Sequence, residues 1–177
     1  KRIDEKRIIS PQYPYALSKN LGEQIALHWN KVYKLPVNSI RIFNAYGPRV
    51  KTTGAYGAVF GVFFKQKLKN FPFTIVGNGK QARDFIYVSD VAEAFYKASI
   101  TSLSGEVFNL GNDNPQTVNT LANLIGGKKT YIPERPGEPK KTWANISKIK
   151  RQLKWKPKVN FKEGVKEMLK QIDLWRD

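Results

Sequence analysis

The chain has 177 residues, of which 41% are hydrophobic, 12% aromatic and 25% charged, a composition typical of one globular domain and unlike a disordered or collagen-like chain. The lack of cysteine in the sequence excludes a disulfide framework, a thiolate metal site and a cysteine nucleophile, and a single histidine offers no metal site. The longest apolar stretch, residues 58–64, is far shorter than the roughly 20 residues of a membrane-spanning helix. We therefore expect a cytoplasmic protein with no membrane segment.

The charge is strongly basic, because 31 lysine and arginine residues outnumber 14 acidic ones and give a formal net charge of +17. The excess is concentrated in residues 128–177, where it is spread through amphipathic sequence and forms no single run. It favours a polyanionic partner, or a lysine-rich face that is simply solvated. A basic nucleic-acid-binding module is the alternative from a different functional class. The sequence has neither zinc-finger spacing nor a basic zipper, so we expect no nucleic-acid partner.

The first elements in chain order are a helix and a strand. Leu17, Leu21, Ile25 and Trp29 recur at helical spacing and predict a helix over residues 15–34. The β-branched run at 37–43 predicts a strand whose apolar residues are typical of a buried, parallel position. A helix followed by a buried strand indicates an α/β fold.

The same alternation continues to the end of the chain. Asp90 with Glu93, and Asn160 with Glu163, have the spacing of helix-capping signals. The predicted helices lie at 58–69, 89–99, 117–125, 147–153 and 160–175, and the predicted strands at 73–76, 85–88, 107–110 and 130–132.

Two glycine patterns are candidates for a dinucleotide-binding loop. Residues 77–82 (GNGKQA) follow a predicted strand, but β-favouring residues 85–88 come next, where the fingerprint requires a helix. Residues 54–57 (GAYG) precede a helix, yet no strand leads into them and no acidic residue follows at the required distance. We interpret the first pattern as a turn and the second as a loop leading into a helix.

Tyr15 and Lys19 are four residues apart and therefore share one face of the first helix. A cation beside a tyrosine stabilises its phenolate form, which can serve as a general base. Such a pair occurs by chance in a lysine-rich chain, so its context decides its meaning. That context is a series of motifs in order: PQYPYALSK at 11–19, RIFNAYGPR at 41–49, QARDFIYV at 81–88, FNLG at 108–111 and RPGE at 135–138.

Together these motifs resemble the C-terminal half of an extended short-chain dehydrogenase/reductase of the nucleotide-sugar epimerase/dehydratase type, similar to UDP-glucose 4-epimerases. The resemblance implies a Rossmann-like α/β fold, with the end of a parallel sheet and a small α/β substrate-binding domain. It implies that residues 1–57 are the remnant of the Rossmann domain, with the Tyr-Lys helix and the following strand. It also implies that 58–177 are mainly the substrate-binding domain, with some segments returning to the Rossmann sheet. It also implies NAD as cofactor, a nucleotide-diphosphate sugar as ligand, and a homodimer formed through the Tyr-Lys helix.

The family further has a glycine-rich cofactor loop and a catalytic Ser or Thr upstream of the tyrosine, and neither is present here. Ser10 and Ser18 do not match that serine. We therefore expect the chain to be a fragment that begins just before the catalytic helix and is inactive alone.

The resemblance also assigns roles to individual residues. Tyr15 is the base that takes the sugar 4-hydroxyl proton, and Lys19 assists it and holds the cofactor ribose. Ile42 and Phe43 match positions beside the nicotinamide. The predicted substrate-binding residues, which contact the diphosphate and the ribose, are Asn44, Arg83, Arg135 and Glu138.

The sequence leaves alternatives open for the role of Arg83 and for the reaction. Arg83 could instead form a structural salt bridge with Asp84. A 4,6-dehydratase shares the first oxidation of a 4-epimerase and then uses an acidic pair upstream of the tyrosine, so this chain does not separate the two activities. A decarboxylase is less favoured, because comparable relatives tend to carry a serine where Asp84 stands.

Overall fold

The computed structural model describes residues 1–50, 59–135 and 137–172. The helices are α1 (Pro14–Tyr33), α2 (Val59–Leu68), α3 (Val88–Ile100), α4 (Val118–Ile125), α5 (Ser147–Gln152) and α6 (Phe161–Lys170). The strands are β1 (Ser39–Ile42), β2 (Asn44–Tyr46), β3 (Phe73–Val76), β4 (Ala82–Arg83), β5 (Phe85–Tyr87), β6 (Val107–Leu110), β7 (Gln116–Thr117) and β8 (Lys129–Ile132).

The strands pair mostly in parallel, as the α/β prediction requires. β1 pairs with β6, β2 with β5 and β3 with β8, all in parallel, while the short β4 and β7 are antiparallel. Partners in a parallel pair must be joined by a crossover, and helices supply these crossovers between β1 and β6 and between β3 and β8. The carboxyl ends of β1 and β6 therefore lie at the same edge.

The first helix agrees with its prediction to within a residue at each end. Pro14 occupies its first turn, where a missing N–H costs nothing, and Lys34 ends it in the left-handed conformation. None of its 20 residues, all of which the structure describes, is buried. Leu17, Leu21 and Ile25 are about half exposed, so this helix presents apolar side chains to its surroundings.

The predicted cap at Asp90 is wrong, whereas the cap at Asn160 is confirmed. Helix α3 begins at Val88, two residues before Asp90, and its N-cap residue Tyr87 makes no side-chain capping bond within the described residues. The Asp90 carboxylate is buried and accepts hydrogen bonds from the backbone N–H groups of Lys158 and Val159. The Asn160 side chain accepts from the N–H of Lys162, as a capping residue should.

Two hydrophobic cores organise the chain, and β5 contributes to both of them. The first is rich in aromatic rings and contains Tyr46, Phe60, Phe63, Phe64, Phe73, Ile75, Phe85, Val118, Leu121, Ala122, Ile125, Phe161, Val165 and Met168. The second contains Ile86, Val91, Ala94, Phe108, Leu110, Ala144, Ile146, Ile149, Leu153 and Trp155. Adjacent residues of β5, Phe85 and Ile86, thus point to opposite cores, as alternation along a strand dictates.

Some predictions fall outside the described residues. The loop at 54–57 and the first residue of the 58–69 helix lie in the gap before Val59. The last helix was predicted to reach 175, but α6 ends at Lys170, and residues 173–175 are outside the described range. In the part of the chain that the structure describes, no helix combines the length and apolar character needed to cross a membrane.

Gly164 in α6 is expected to tolerate alanine poorly. A Cβ at this position would clash with the Tyr46 hydroxyl oxygen, and the Tyr46 ring is stacked on Phe60 with centroids 4.5 Å apart. Because the ring has little room to move, Gly164→Ala should lower the free energy of unfolding by about 1–3 kcal/mol, despite the better helix propensity of alanine. Urea denaturation monitored by circular dichroism measures the change.

The matched control is Gly22→Ala, since Gly22 is also inside a helix but a Cβ there would meet no atom within 4 Å among the described residues. Gly22→Ala should raise the free energy of unfolding by up to about 1 kcal/mol. Equal changes for the two glycines would contradict the steric explanation.

Candidate functional site

A cavity of about 240 Å³ brings the four predicted substrate-binding residues together. Asn44 enters it from β2, Arg83 from β4, and Arg135 and Glu138 from the loop after β8. These residues are separated by up to 94 positions in the sequence, and only the fold makes them neighbours. Apolar residues of α2, β3 and β5 line the rest of the cavity, among them Val59, Phe60, Val76 and Phe85.

Asn44 is held at the point where β1 ends and β2 begins. Its backbone N–H donates to the carbonyl oxygen of Asp84 at 3.1 Å, and its side-chain oxygen accepts from the Thr142 hydroxyl at 3.3 Å. Ligands of α/β sheets bind at the carboxyl ends of parallel strands, and Asn44 follows such an end. The position therefore agrees with a ligand contact by the Asn44 amide.

Arg83 pairs with Glu138, so the alternative salt bridge to Asp84 is wrong. The guanidinium Nη2 lies 2.7 Å from the Glu138 carboxylate, and Nη1 donates to the carbonyl oxygens of Pro139 and Ala82. The Arg83 side chain is only 13% exposed. These contacts hold the guanidinium in a fixed plane at the cavity, and they use N–H groups of both Nη1 and Nη2.

Asp84 instead ties together the backbone behind the cavity. Its fully buried carboxylate accepts from the N–H of Asn112 at 2.8 Å and from the N–H of Ala144 at 2.9 Å. Burial raises the pKa of Asp84, and the backbone N–H donors oppose this rise. The sequence does not predict this role of Asp84, because the two residues whose N–H groups donate to it lie 28 and 60 positions further along the chain.

Tyr15 and Lys19 share a face of α1, as their spacing predicts. The Lys19 ammonium nitrogen lies 5.4 Å from the centroid of the Tyr15 ring. The start of this helix also lies against the loop that carries Arg135 and Glu138, because the Tyr13 hydroxyl is 3.2 Å from where a Cβ on Gly137 would sit. The N-cap residue of the helix is thus close to this loop, whereas Tyr15 and Lys19 are not among the described residues that line this cavity or the one beside Ile42 and Phe43.

A second cavity, of about 410 Å³, borders the first at Asn44. Ile42 and Phe43 line it, together with residues of the 3–10 segment. Both positions predicted to lie beside a nicotinamide therefore border a space of mixed apolar and polar lining next to the candidate substrate cavity. Their role as cofactor contacts remains a prediction.

Glu23 and Arg41 form an ion pair that sequence reasoning did not single out. The Arg41 fork donates to both carboxylate oxygens of Glu23, at 2.9 and 2.6 Å, and the Ser39 hydroxyl donates to the same carboxylate. The pair lowers the pKa of Glu23 and raises that of Arg41, because each charge favours the ionised form of the other through these hydrogen bonds. Glu23 lies about two helical turns after Tyr15, on the same face of α1. This spacing is the sequence feature that could have identified Glu23 as a candidate residue.

This pair should make stability depend on pH. Since the pKa of Glu23 is lower in the folded protein, its contribution to the free energy of unfolding is complete above the ordinary glutamate pKa of about 4. The contribution is lost as the pH falls through the lower, folded-state value. We expect the free energy of unfolding of wild type to exceed that of Glu23→Gln most near neutral pH, and the difference to shrink below about pH 4. Urea denaturation at a series of pH values measures it. A difference independent of pH would contradict this assignment.

The remaining candidates have simple structural explanations. Residues 77–82 form a turn with Gly77 and Gly79 at positive φ, and they lead into β4 and not into a helix, which confirms that they are no dinucleotide-binding loop. His28 lies on the exposed surface of α1. Among the described residues, no group of three or more potential ligands could hold a metal ion.

Comparison with known proteins places these features in a family. The sequence profile of the family described as GDP-mannose 4,6 dehydratase matches residues 1–168. The UDP-glucuronate 4-epimerase of Thermodesulfobacterium geofontis is 34% identical over 170 residues, which are 92% of this chain and 51% of that protein. UDP-glucuronic acid decarboxylase 1 of Arabidopsis thaliana is 34% identical over 161 residues, which are 88% of this chain and 36% of that protein.

Among solved structures, the UDP-glucuronic acid 4-epimerase of Bacillus cereus in complex with UDP-glucuronic acid and NAD matches with a TM-score of 0.89 and 30% identity. The match covers 99% of this chain and 57% of that one. This likeness confirms the predicted Rossmann-like α/β class of extended short-chain dehydrogenases. The chain therefore spans about half the length of these epimerases.

Proposed function

Because the chain belongs to the extended short-chain dehydrogenase family of nucleotide-sugar epimerases and dehydratases, we propose that it carries the substrate cavity and the proton-transferring tyrosine of an NAD-dependent nucleotide-sugar 4-epimerase. The observation that carries the proposal is the convergence of Asn44, Arg83, Arg135 and Glu138 on one cavity. Epimerases are among the relatives at 34% and 30% identity, and a UDP-glucuronic acid decarboxylase is equally similar at 34%, so the choice of a 4-epimerase within the family is part of the proposal.

The charges of the cavity suit a nucleoside diphosphate. Arg83 and Arg135 supply two guanidinium groups at the cavity, and guanidinium groups bind phosphate oxygens through charge-assisted hydrogen bonds. Glu138 supplies a carboxylate that accepts hydrogen bonds from ribose hydroxyls, and its pairing with Arg83 holds both groups at the same wall. A diphosphate bound here would lie beside Asn44, between the two cavities.

The proton transfer is assigned to the Tyr15 hydroxyl, and the Lys19 ammonium lies beside the Tyr15 ring. The hydroxyl on sugar C4 gives its proton to this oxygen during oxidation and receives it back during reduction. NAD, when bound, supplies the acceptor and donor of hydride. Within this proposal, Ile42 and Phe43 supply apolar contacts for the nicotinamide ring in a cavity that is otherwise lined by apolar and polar side chains.

A 4,6-dehydratase is the second candidate, favoured by the description of the matching family profile. It would use the same cavity and the same tyrosine for the first oxidation and would then eliminate water. The two activities differ in the product and not in the residues described here.

The test uses the native protein that carries this chain, supplied with NAD and either UDP-glucose or UDP-glucuronic acid. A galacto-configured product supports the 4-epimerase, and a 4-keto-6-deoxy product from a nucleotide-glucose supports the dehydratase. Both the epimerase and the dehydratase proposals would be overturned if the protein bound duplex DNA with an affinity that falls steeply with salt and showed no selective thermal shift with UDP or dTDP.

Self-association through α1 is part of the same proposal. The exposed Leu17, Leu21 and Ile25 supply an apolar surface that a second copy could cover. Sedimentation equilibrium of the native protein tests it, and a monomeric mass at micromolar concentration would contradict it.

A further inference from the structure

Helix α1 is attached to the sheet by polar contacts more than by a hydrophobic face. None of its residues is buried, and all of them are described by the structure. Near its carboxyl end, the Asn30 amide donates to the carbonyl oxygen of Leu35 and to the Ser104 hydroxyl. In its first half, the contact to β1 is the Glu23 carboxylate, which receives hydrogen bonds from Ser39 and Arg41.

Tyr15, Lys19 and Glu23 succeed one another at intervals of four and therefore form one stripe along the helix. The rise of an α-helix places Glu23 only about 12 Å from Tyr15 along the axis. A rotation or a slide of the helix at Glu23 would therefore move the Tyr15 oxygen and the Lys19 ammonium by a similar amount.

Arg41 joins this stripe to the wall of the second cavity. While Nε and Nη2 hold Glu23, Nη1 donates to the carbonyl oxygen of Glu5 at 3.0 Å. The Glu5 carboxylate accepts from the N–H of Asn109 at 2.9 Å, and the Asn109 amide donates to the carbonyl oxygen of Ile3. Arg41, Ile3 and Asn109 all line the cavity that Ile42 and Phe43 border.

We propose that Glu23 and Arg41 are positioning residues, which set the Tyr15–Lys19 helix against β1 and against the cavity beside Ile42 and Phe43. The inference rests on the proposed function for its catalytic consequence. A guanidinium suits the task because its rigid fork binds both oxygens of Glu23 and still has a donor for Glu5, whereas an ammonium has no such fixed plane.

The placement of the helix can be measured without any activity. The chain has no cysteine, so Ser18→Cys on α1 and Arg151→Cys on α5 give two specific sites for nitroxide labels, both at exposed positions. Electron–electron distance measurement should give one narrow distribution in the otherwise unchanged protein. Glu23→Gln or Arg41→Lys should broaden or shift that distribution.

The catalytic consequence is measured in the native protein with NAD and the UDP-sugar that it converts. Misplacement of Tyr15 by about 1 Å should lower kcat by roughly tenfold to a hundredfold for Glu23→Gln and Arg41→Lys. The dissociation constant of UDP should stay unchanged, because the residues proposed to bind it lie on other elements. Ser39→Ala removes one bond to Glu23 and should give a smaller decrease in kcat.

The matched control is Glu106→Gln, which breaks another partly buried ion pair, between Lys148 and Glu106 at 2.7 Å, where α5 packs on β6. It should alter neither the distance distribution nor kcat. If Glu23→Gln fails to fold, the distance distribution and kcat are compared in the milder variants Ser39→Ala and Arg41→Lys.

Unchanged distance distributions in both pair variants would overturn the inference, and so would a broadened distribution with unchanged kcat. A decrease in kcat equal to that of Glu106→Gln would also overturn the inference, because the loss of activity would then reflect lower stability. Absence of turnover and UDP binding in the wild-type protein would instead contradict the proposed function, while the distance measurement would still decide how α1 is held.

Discussion

Replacing Tyr15 with phenylalanine in the native protein that carries this chain is expected to lower turnover of a UDP-hexose by about 10²–10⁴-fold, with little change in UDP affinity. The substitution removes only the hydroxyl group, so the ring can keep its position beside the Lys19 ammonium. The residues proposed to bind UDP lie on β2, β4 and the loop after β8, and none of them belongs to α1. Product analysis and UDP titration calorimetry measure the two quantities separately.

The control for this substitution is Tyr33→Phe, at the opposite end of the same helix. Tyr15 is 59% exposed and Tyr33 is 66% exposed, so the two changes remove a hydroxyl from similar surroundings. Tyr33→Phe should leave kcat unchanged. Retention of wild-type turnover by Tyr15→Phe would remove Tyr15 from the mechanism, whatever the affinity for UDP.

The elements that could be predicted from sequence are those with strong local signals. Helix α1 carries an apolar repeat between Pro14 and the left-handed Lys34, and β6 coincides with its predicted bounds at 107–110. The two-residue strands β4 and β7 were not predicted, because a bridge this short is defined by its partner and not by its own residues. The prediction of a helix cap at Asp90 is wrong for a related reason. The Asp90 carboxylate accepts hydrogen bonds from the segment that follows α5, which is distant in the sequence.

The candidate site shows the same division. The motifs gave the residues that now line one cavity, and the four-residue spacing gave the Tyr15–Lys19 contact. The ion partner of Arg83 was not predictable, because Glu138 follows it by 55 residues while Asp84 is its immediate neighbour. Asp84 lies between β4 and β5, and its carboxylate accepts from the backbone of Asn112 and Ala144, residues that are also distant in the sequence.

Substitution of Asp84 is expected to have the second large effect, this time on stability and on ligand affinity together. Its carboxylate satisfies the buried N–H groups of Asn112 and Ala144, and its backbone carbonyl accepts from the N–H of Asn44. Asp84→Asn replaces one acceptor oxygen with an NH₂ group facing a donor. We expect the free energy of unfolding to fall by about 1–3 kcal/mol and UDP to bind at least tenfold more weakly, because the backbone that carries Asn44 and Arg83 loses its support.

Asp90→Asn separates these two effects, since Asp90 is also a buried carboxylate that accepts two backbone N–H groups, from Lys158 and Val159. Asp90 does not line the cavity formed by the described residues around Arg83, so its substitution should leave UDP affinity unchanged. It should destabilise the protein less than Asp84→Asn, because both N–H groups donate to Oδ2, whose place the asparagine oxygen can take. Calorimetric titration of UDP at a temperature where both variants are folded makes the comparison. Equal affinities for the two variants would show that Asp84 serves the fold alone, and that Arg83 and Asn44 keep their places without it.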